Sequence, residues 1–405
     1  MTLLEEALSD SNPWWKGAFF PITYKPREEY KKIEPFITKK QIIGIYGLRR
    51  TGKSYLLYHI IKRLLEDKKD PKIMVYFSFD AFRNTTLSEV LKESTNITGK
   101  EPKFLFLDEV QKIENWQEQV KRIYDLKNIK IFVTGSESLF LKKTSKESLA
   151  GRIFEFEMKP LSFREYLGFK GIKITKIYSE EIKKALNHYL LTGGFPELVE
   201  ETDSFFIRKY IKEGIIDKAI FREIPETFSI DDPSFLEKIM NILVDNPGLL
   251  LDKNDLANTL GIYRKTVTKY LFYLESSFLI RNTYNYSTNV STSEKKLKKY
   301  YPGFSCLGIG AKSDSAYVGK VVESVCVNHL NAKFFWRNPQ KDEIDIILTE
   351  PLLPIEVKYQ ENPEIGGMKK FQERFNARKG LVITKNTDKK EKGIEFIPLW
   401  KWLLG

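Results

Sequence analysis

An α/β fold built on a parallel sheet is predicted for the first part of the chain, and three observations predict it. Short apolar runs recur as "IIGIYG" (42–47), "KIMVYFSF" (72–79), "KFLFLDEV" (103–110) and "KIFVTGS" (130–136). They are nearly continuous rather than alternating, as strands covered on both faces are. Between them lie "YLLYHIIKRLLED" (55–67) and "WQEQVKRIYDLK" (116–127), whose apolar residues recur at helical spacing. Strands alternating with helices make βαβ units and hence a parallel sheet.

Taken in order, residues 1–40 are polar and aromatic, broken by Pro13, Pro21 and Pro26, and read as a lead-in that packs on the next domain. Residues 41–170 form the α/β core, with a further strand at "RIFEFEM" (152–158). Residues 171–232 read as helical, with a turn at "LTGGFPE". The stretch 233–290 has the rhythm of a helix-turn-helix: "DKNDLANTLG", with Gly261 in the turn, then "YRKTVTKYLFYLESSFLI" carrying Arg264, Lys265, Thr268 and Lys269. A winged helix would add its wing at "FLIRNTYNYS". "STSEKKLKKYYPGFSC" (291–306) reads as a basic boundary, and 300–405 again alternates helix and strands.

Composition narrows the function classes. A chain of 405 residues at 42% hydrophobic fills more than one core, which excludes disorder. The net charge of +12 favours a polyanionic partner such as nucleic acid, against the plainer reading of a lysine-rich solvated surface. Two cysteines, Cys306 and Cys326, give no disulfide framework and fit a reducing compartment. "MTLLEEALSDSNPWW" lacks the features of a signal peptide, and no apolar run approaches the ~20 residues of a membrane span. A cytoplasmic protein with no membrane partner is expected.

The segment Gly47-Leu-Arg-Arg-Thr-Gly52-Lys53-Ser54 matches G-x-x-x-x-G-K-[ST], the phosphate-binding loop. Glycines let successive N–H groups curl towards phosphate oxygens, and the helix that follows presents its positive end to the same anion. Lys53 supplies a point charge at the β/γ-phosphates, and Ser54 a hydroxyl for Mg2+. The contact set extends over Gly47, Arg49, Arg50, Thr51, Gly52, Lys53, Ser54 and Tyr55. In "FLFLDEVQ", Asp108 at a strand end is suited to holding Mg2+, and Glu109 to orienting the attacking water. Two solvated acids at a strand end are the alternative, outweighed by the preceding loop. Ser136, after the strand "KIFVTGSES", is a candidate γ-phosphate sensor. Arg152 is a candidate arginine finger reaching a neighbour's nucleotide, or a plain surface arginine.

These motifs together, "NPWW", "GLRRTGKS", "FLDEVQKIENW", "VTGSES", "GRIFEFEMKPLSFREYL" and "LTGGFPELV", resemble those of the archaeal AAA-type ATPases, grouped with the signal-transduction ATPases with numerous domains (STAND). The resemblance covers residues 11–200. It implies a P-loop NTPase parallel sheet with helices on both faces, an extra strand between the two nucleotide motifs at 73–79, and a winged-helix domain beyond the core. The family often has a serine-rich run after the sensor strand, where this chain has Glu137.

The tail resembles the PD-(D/E)XK nuclease fold that this ATPase family often carries, a small α/β restriction-endonuclease-like domain. Glu356 and Lys358 lie two apart on the strand "PLLPIEVKY" and so share a face. Asp345, in "EIDIIL", comes opposite if Pro351–Pro354 turns the chain back, and Glu323 lies on the preceding helix. Carboxylates with a lysine around Mg2+ are the apparatus of phosphodiester hydrolysis. The triplet E-x-K alone carries no weight, since it recurs at Glu29/Lys31, Glu181/Lys183 and Glu294/Lys296. A salt-bridged strand pair in a docking module is the alternative.

The function expected is Mg2+-dependent ATP binding and hydrolysis acting on or near double-stranded DNA. The alternative is a nucleotide-controlled switch whose tail recruits a protein partner. A homo-oligomer is required if Arg152 acts on a neighbouring chain.

Overall fold

The apolar runs of the first part become five parallel strands: β1 (Ile42–Tyr46), β2 (Met74–Ser78), β3 (Phe104–Asp108), β4 (Lys130–Gly135) and β5 (Ile153–Glu157). Their order across the sheet is β2-β3-β4-β1-β5. The computed structural model describes the chain except for residues 1, 19–24, 81, 83–84, 136–148, 176, 178, 231, 290–292, 294–295, 313 and 361–365. The described chain divides into two compact units, Met1–Lys159 and Pro160–Gly405.

In the first unit, alternate residues of each strand serve two separate cores. Ile43, Ile45, Met74, Tyr76, Phe106 and Phe132 pack with Leu56, Leu57 and Ile60 of the helix Lys53–Glu66. Ile42, Val75, Leu105, Leu107, Ile131 and Val133 pack with Val90 of the helix Leu87–Thr98 and Val120 of the helix Trp116–Leu126. Burial on both faces is why the runs carry no polar alternation. The strand at 73–79 lies between the nucleotide motifs in sequence but forms the sheet edge in space; β4 is the strand that separates β1 from β3.

The "NPWW" segment closes that edge. Asn12, fully buried, donates from Nδ2 to the Tyr76 carbonyl at 2.8 Å and accepts from the Tyr76 N–H at 2.7 Å. The Trp14 and Trp15 indoles both donate to the Met74 carbonyl, at 3.1 and 2.8 Å. An open strand edge is a pairing hazard, and these side chains satisfy groups that a sixth strand would otherwise take.

The second unit opens with the helices Phe163–Phe169 and Ser179–Thr192. The helix Ser204–Ile211 runs on through the wider π-turns Lys212–Asp217 and Ala219–Glu223. The helix Ser234–Asp245 follows, then Lys253–Leu260 and Arg264–Ser276, joined at Gly261, whose φ of 67 is a left-handed helix end.

Among the described residues nine strands follow: β6 (Leu249–Leu251), β7 (Ile280–Asn285), β8 (Lys298–Pro302), β9 (Phe334–Arg337), β10 (Glu343–Thr349), β11 (Leu352–Lys358), β12 (Gly380–Thr384), β13 (Lys389–Glu391) and β14 (Ile394–Pro398). They form one mixed sheet, ordered β13-β14-β12-β11-β10-β9-β7-β8-β6. β7 is the seam: it pairs antiparallel with β8 and parallel with β9, through Tyr284↔Phe334 and Asn285↔Phe335. The helix-turn-helix stretch and the tail therefore share a sheet. β10 and β11 form a hairpin with Ile346 opposite Ile355, and the helix Ser315–Leu330 precedes β9. Among the described residues no helix is long and apolar enough to cross a membrane.

Candidate nucleotide site

The loop after β1 is built on three left-handed residues: Gly47 at φ 145, Arg50 at φ 59 and Gly52 at φ 95. Gly52 is the N-cap of the helix Lys53–Glu66, so the loop delivers its N–H groups to a helix start. Thr51, fully buried, donates from Oγ1 to the Leu48 carbonyl at 2.9 Å. Lys53 folds back over the loop, donating from Nζ to the Gly47 and Leu48 carbonyls at 2.9 Å each. An ammonium 5% exposed is thus held above the concavity where an anion would lie. Arg49 and Arg50 are half-buried beside it, and Tyr55 stands exposed on the first turn of the helix.

Asp108 ends β3 and is the hub of the site. Its Oδ2 accepts from Ser54 Oγ at 2.6 Å and from the Tyr76 hydroxyl at 2.8 Å, and its Oδ1 accepts from Thr134 Oγ1. The Ser54–Asp108 bond joins the loop to the acidic strand end. A hydroxyl and a carboxylate converging in this way are hard oxygen donors of the kind Mg2+ takes, so the residues present fit that ion. The adjacent Glu109 takes a left-handed φ of 54, which turns its side chain out of the strand register. Its N–H donates to Thr134 Oγ1 at 3.1 Å, and its Oε2 accepts from Gln111 Nε2 at 2.5 Å. Burial, with the Asp108 charge beside it, pushes the Tyr76 hydroxyl far above its ordinary pKa, so it stays a donor.

Ser136 lies outside the described residues. Arg152 is not brought to the loop of its own chain: it precedes β5, donates through Nε to Asp125 at 3.0 Å, and its carbonyl accepts from Ile42 N–H at the opposite end of β1. The motifs did not reveal Tyr76, Gln111 or Arg27. Arg27, 5% exposed, donates to the Thr51 carbonyl at 2.6 Å and the Lys159 carbonyl at 2.7 Å, clamping the loop from behind.

In the second unit, Glu323, Asp345, Glu356 and Lys358 lie on the helix Ser315–Leu330 and the β10–β11 hairpin. Lys299, on β8, reaches the first two: its Nζ is 2.9 Å from Glu323 Oε1, 3.8 Å from Asp345 Oδ1 and 2.5 Å from Glu343 Oε1. Tyr301 donates to Glu323 Oε1 at 2.7 Å, and the Val357 N–H to Asp345 Oδ2 at 2.8 Å. Burial works against the Lys299 charge, but Glu323 and its neighbours outweigh it and push the ammonium pKa well up. Arg337 also pairs with Glu343, at 3.7 Å, and burial beside Glu323 pushes Asp345 up to about 7. Glu356, 2% exposed, is pushed to about 7 by burial as well. Lys299 Nζ thus lies beside Glu323 and Asp345, while Glu356 Oε2 is buried without a hydrogen-bond partner among the described residues.

Comparison with known proteins agrees with the first unit's geometry. Residues 39–167 match the model of an AAA domain, while 183–303 and 318–402 match two domains of unknown function, DUF8612 and DUF4143. The uncharacterized protein MJ1544 of Methanocaldococcus jannaschii is 30% identical over 99% of this chain and 95% of its own length. An uncharacterized protein of Haemophilus influenzae is 28% identical over 93% of this chain and 98% of its own. Among solved structures, AMPPCP-bound DnaA from Aquifex aeolicus matches at 16% identity, covering 64% of this chain and 90% of that chain, with a TM-score of 0.32. The chain belongs to the protein family that includes MJ1544, and its residues 39–167 are an AAA domain with an AAA-type P-loop ATPase fold.

Proposed function

We propose that the protein binds ATP with Mg2+ and hydrolyses it, and that its second unit carries the effect of the cycle to duplex DNA. The observation that carries the ATPase reading is the 2.6 Å bond from Ser54 to Asp108, which ties the phosphate loop to the acidic pair. Lys53 would leave the Gly47 and Leu48 carbonyls for the β- and γ-phosphate oxygens. Ser54 and Asp108 would hold Mg2+, which offsets the charge on those oxygens when bound. Glu109 would exchange Gln111 for a water, take its proton as the oxygen attacks the γ-phosphorus, and ADP would leave as the bond to its β-phosphate oxygen breaks. The test is paired: Lys53→Ala abolishes ATP binding, and Glu109→Gln keeps binding and stops turnover. Normal hydrolysis by Glu109→Gln would refute the assignment of the base.

The DNA reading is supported by one face of the helix Arg264–Ser276. Arg264, Lys265, Thr268 and Lys269 are exposed, while Val267, Tyr270, Leu271 and Leu274 are buried behind them. Tyr263, at the helix start, is 85% exposed. A basic face with a free aromatic, on the second helix of a helix-turn-helix and followed by the paired strands β7 and β8, suits a winged helix on a phosphate backbone. Binding that weakens steeply with salt, and that Lys265→Glu with Lys269→Glu abolishes, is the expected result. The second reading is a nucleotide-controlled switch in the cytoplasm that recruits a protein partner and does not cleave DNA. The Lys299 cluster favours it for the tail. A homo-oligomer enters this reading only where Arg152 exchanges Asp125 for a neighbour's nucleotide.

A further inference from the structure

We propose that Lys299 is the resident cation of the tail's carboxylate cluster, standing where a divalent metal would sit, and that the tail is a binding module that cuts no phosphodiester. The inference concerns the second unit alone and stands whether or not the first unit hydrolyses ATP.

A Mg2+ ion needs several oxygens at about 2.1 Å in octahedral array. Here Glu323 Oε1 already accepts from Lys299 and from Tyr301, and Asp345 Oδ2 from the Val357 backbone. Among the described residues no group of three or more His, Cys, Asp or Glu side chains is arranged to hold a metal ion. An ammonium offers three N–H donors; the contacts to Glu323 and Glu343 use two of them, and the charge lies 3.8 Å from Asp345.

The lysine is also fixed in place. Lys299 lies on β8 between two antiparallel partners, opposite Leu250 of β6 and Thr283 of β7. Its side chain is 5% exposed, its Nζ is 5.5 Å from the centre of the Phe335 ring, and Tyr301 presents its hydroxyl to the same glutamate from two residues along the strand. A cation buried to this degree persists only when paired, and the carboxylates in turn depend on it. A metal and this ammonium cannot share the space between Glu323 and Asp345. The cluster therefore works as an internal ion lock between β8, the helix Ser315–Leu330 and β10. It leaves the tail's carboxylates without a metal for catalysis.

The experiment compares the full-length wild type with Asp345→Asn and Lys299→Ala, without nucleotide, using Mn2+ as the probe. Bound Mn2+ is counted by electron paramagnetic resonance, melting is followed in 0 and 1 mM Mn2+ (about 1 mM being ample for a carboxylate site), and supercoiled plasmid is incubated with each protein. The expected result is the same Mn2+ count for wild type and Asp345→Asn, no nicking by either, and a Lys299→Ala melting point lower by about 6 °C or more, partly restored by Mn2+. A Mn2+ count that falls by one in Asp345→Asn, or nicking lost in that variant, would overturn the proposal. So would a Lys299→Ala protein that melts with the wild type. The wild-type and Asp345→Asn comparison decides the matter even where Lys299→Ala fails to fold.

Discussion

Replacing Gly47 by alanine should unfold the first unit's loop before it affects any ligand. Gly47 sits at φ 145, a conformation side chains rarely adopt, and a Cβ there would lie 2.3 Å from the Met158 carbonyl oxygen. That obstacle is backbone, not the tip of a movable side chain. Met158 in turn donates its N–H to the Tyr46 carbonyl at 2.7 Å, the bond that continues the β1–β5 ladder into the loop. An alanine must therefore hold the strained dihedral while it pushes β5 away and loses that bond. Backbone strain costs about 1–3 kcal/mol, overpacking about 1–3 and the hydrogen bond about 1, together roughly 3–7 kcal/mol. That is a large part of the ~5–15 kcal/mol that keeps an ordinary domain folded. Gly52 is the internal control: at φ 95 its nearest neighbours are Arg27 Nη1 at 3.6 Å and Met158 Cε at 3.9 Å, so alanine there meets strain without a clash, about 1–3 kcal/mol. Urea denaturation followed by tryptophan fluorescence and circular dichroism, without nucleotide, measures both. A Gly47→Ala protein within about 1 kcal/mol of wild type, or a Gly52→Ala protein that is the less stable of the two, would refute the reasoning.

Further outcomes follow from the same geometry. Tyr76→Phe removes one of the hydroxyls held by Asp108 and should cost about 1–2 kcal/mol by denaturation and weaken Mg2+-dependent nucleotide binding, with no change in nucleotide binding without the metal. Arg27→Ala leaves the Thr51 and Lys159 carbonyls without their donor; ATP affinity should fall several-fold while the circular dichroism spectrum is kept. Glu109→Gln should lower the ATPase rate about 10²–10⁴-fold with ATP affinity unchanged, measured by single-turnover hydrolysis and equilibrium binding. Acid should loosen the first unit. Burial, with Arg63 nearby, lowers His59 to about 4. Its folded pKa lies below the unfolded value of ~6.5, so its contribution is present above ~6.5 and is lost as pH falls towards 4. In His59→Gln that part of the pH dependence between 6.5 and 4 should disappear, as read from melting temperatures.

The nucleotide loop was legible because its residues carry their own chemistry. Gly47 and Gly52 are needed for the backbone, Lys53 and Ser54 complete the motif, and Asp108 is read from its strand end only because that loop precedes it. Tyr76 was not legible for the opposite reason. Its hydroxyl matters only because β2 lies beside β3 in the register Ser78↔Asp108, and a tyrosine in an apolar run looks like core until strand order is known. The same holds for Asn12 and Arg27, whose partners lie 64 and 24 residues away. Lys299 shows the limit most clearly. In "KKLKKYY" it reads as one of several solvated lysines, because a lysine run carries no alternating apolar signal. Pairing of β8 with both β6 and β7 turns that one residue inward to the carboxylates, and nothing local distinguishes it from Lys298.

The claim on which the account rests is that the loop at 47–54 and the acid pair at 108–109 together receive a triphosphate and its metal. Calorimetric titration of ATP into wild type, Lys53→Ala and Asp108→Asn, each with Mg2+ and with EDTA, tests it directly. The account predicts one ATP per wild-type chain, affinity weakened about 100-fold or more by Lys53→Ala, and loss of the Mg2+ enhancement in Asp108→Asn. Equal binding of ATP by the wild type and Lys53→Ala, or a Mg2+ enhancement that survives Asp108→Asn, would contradict it.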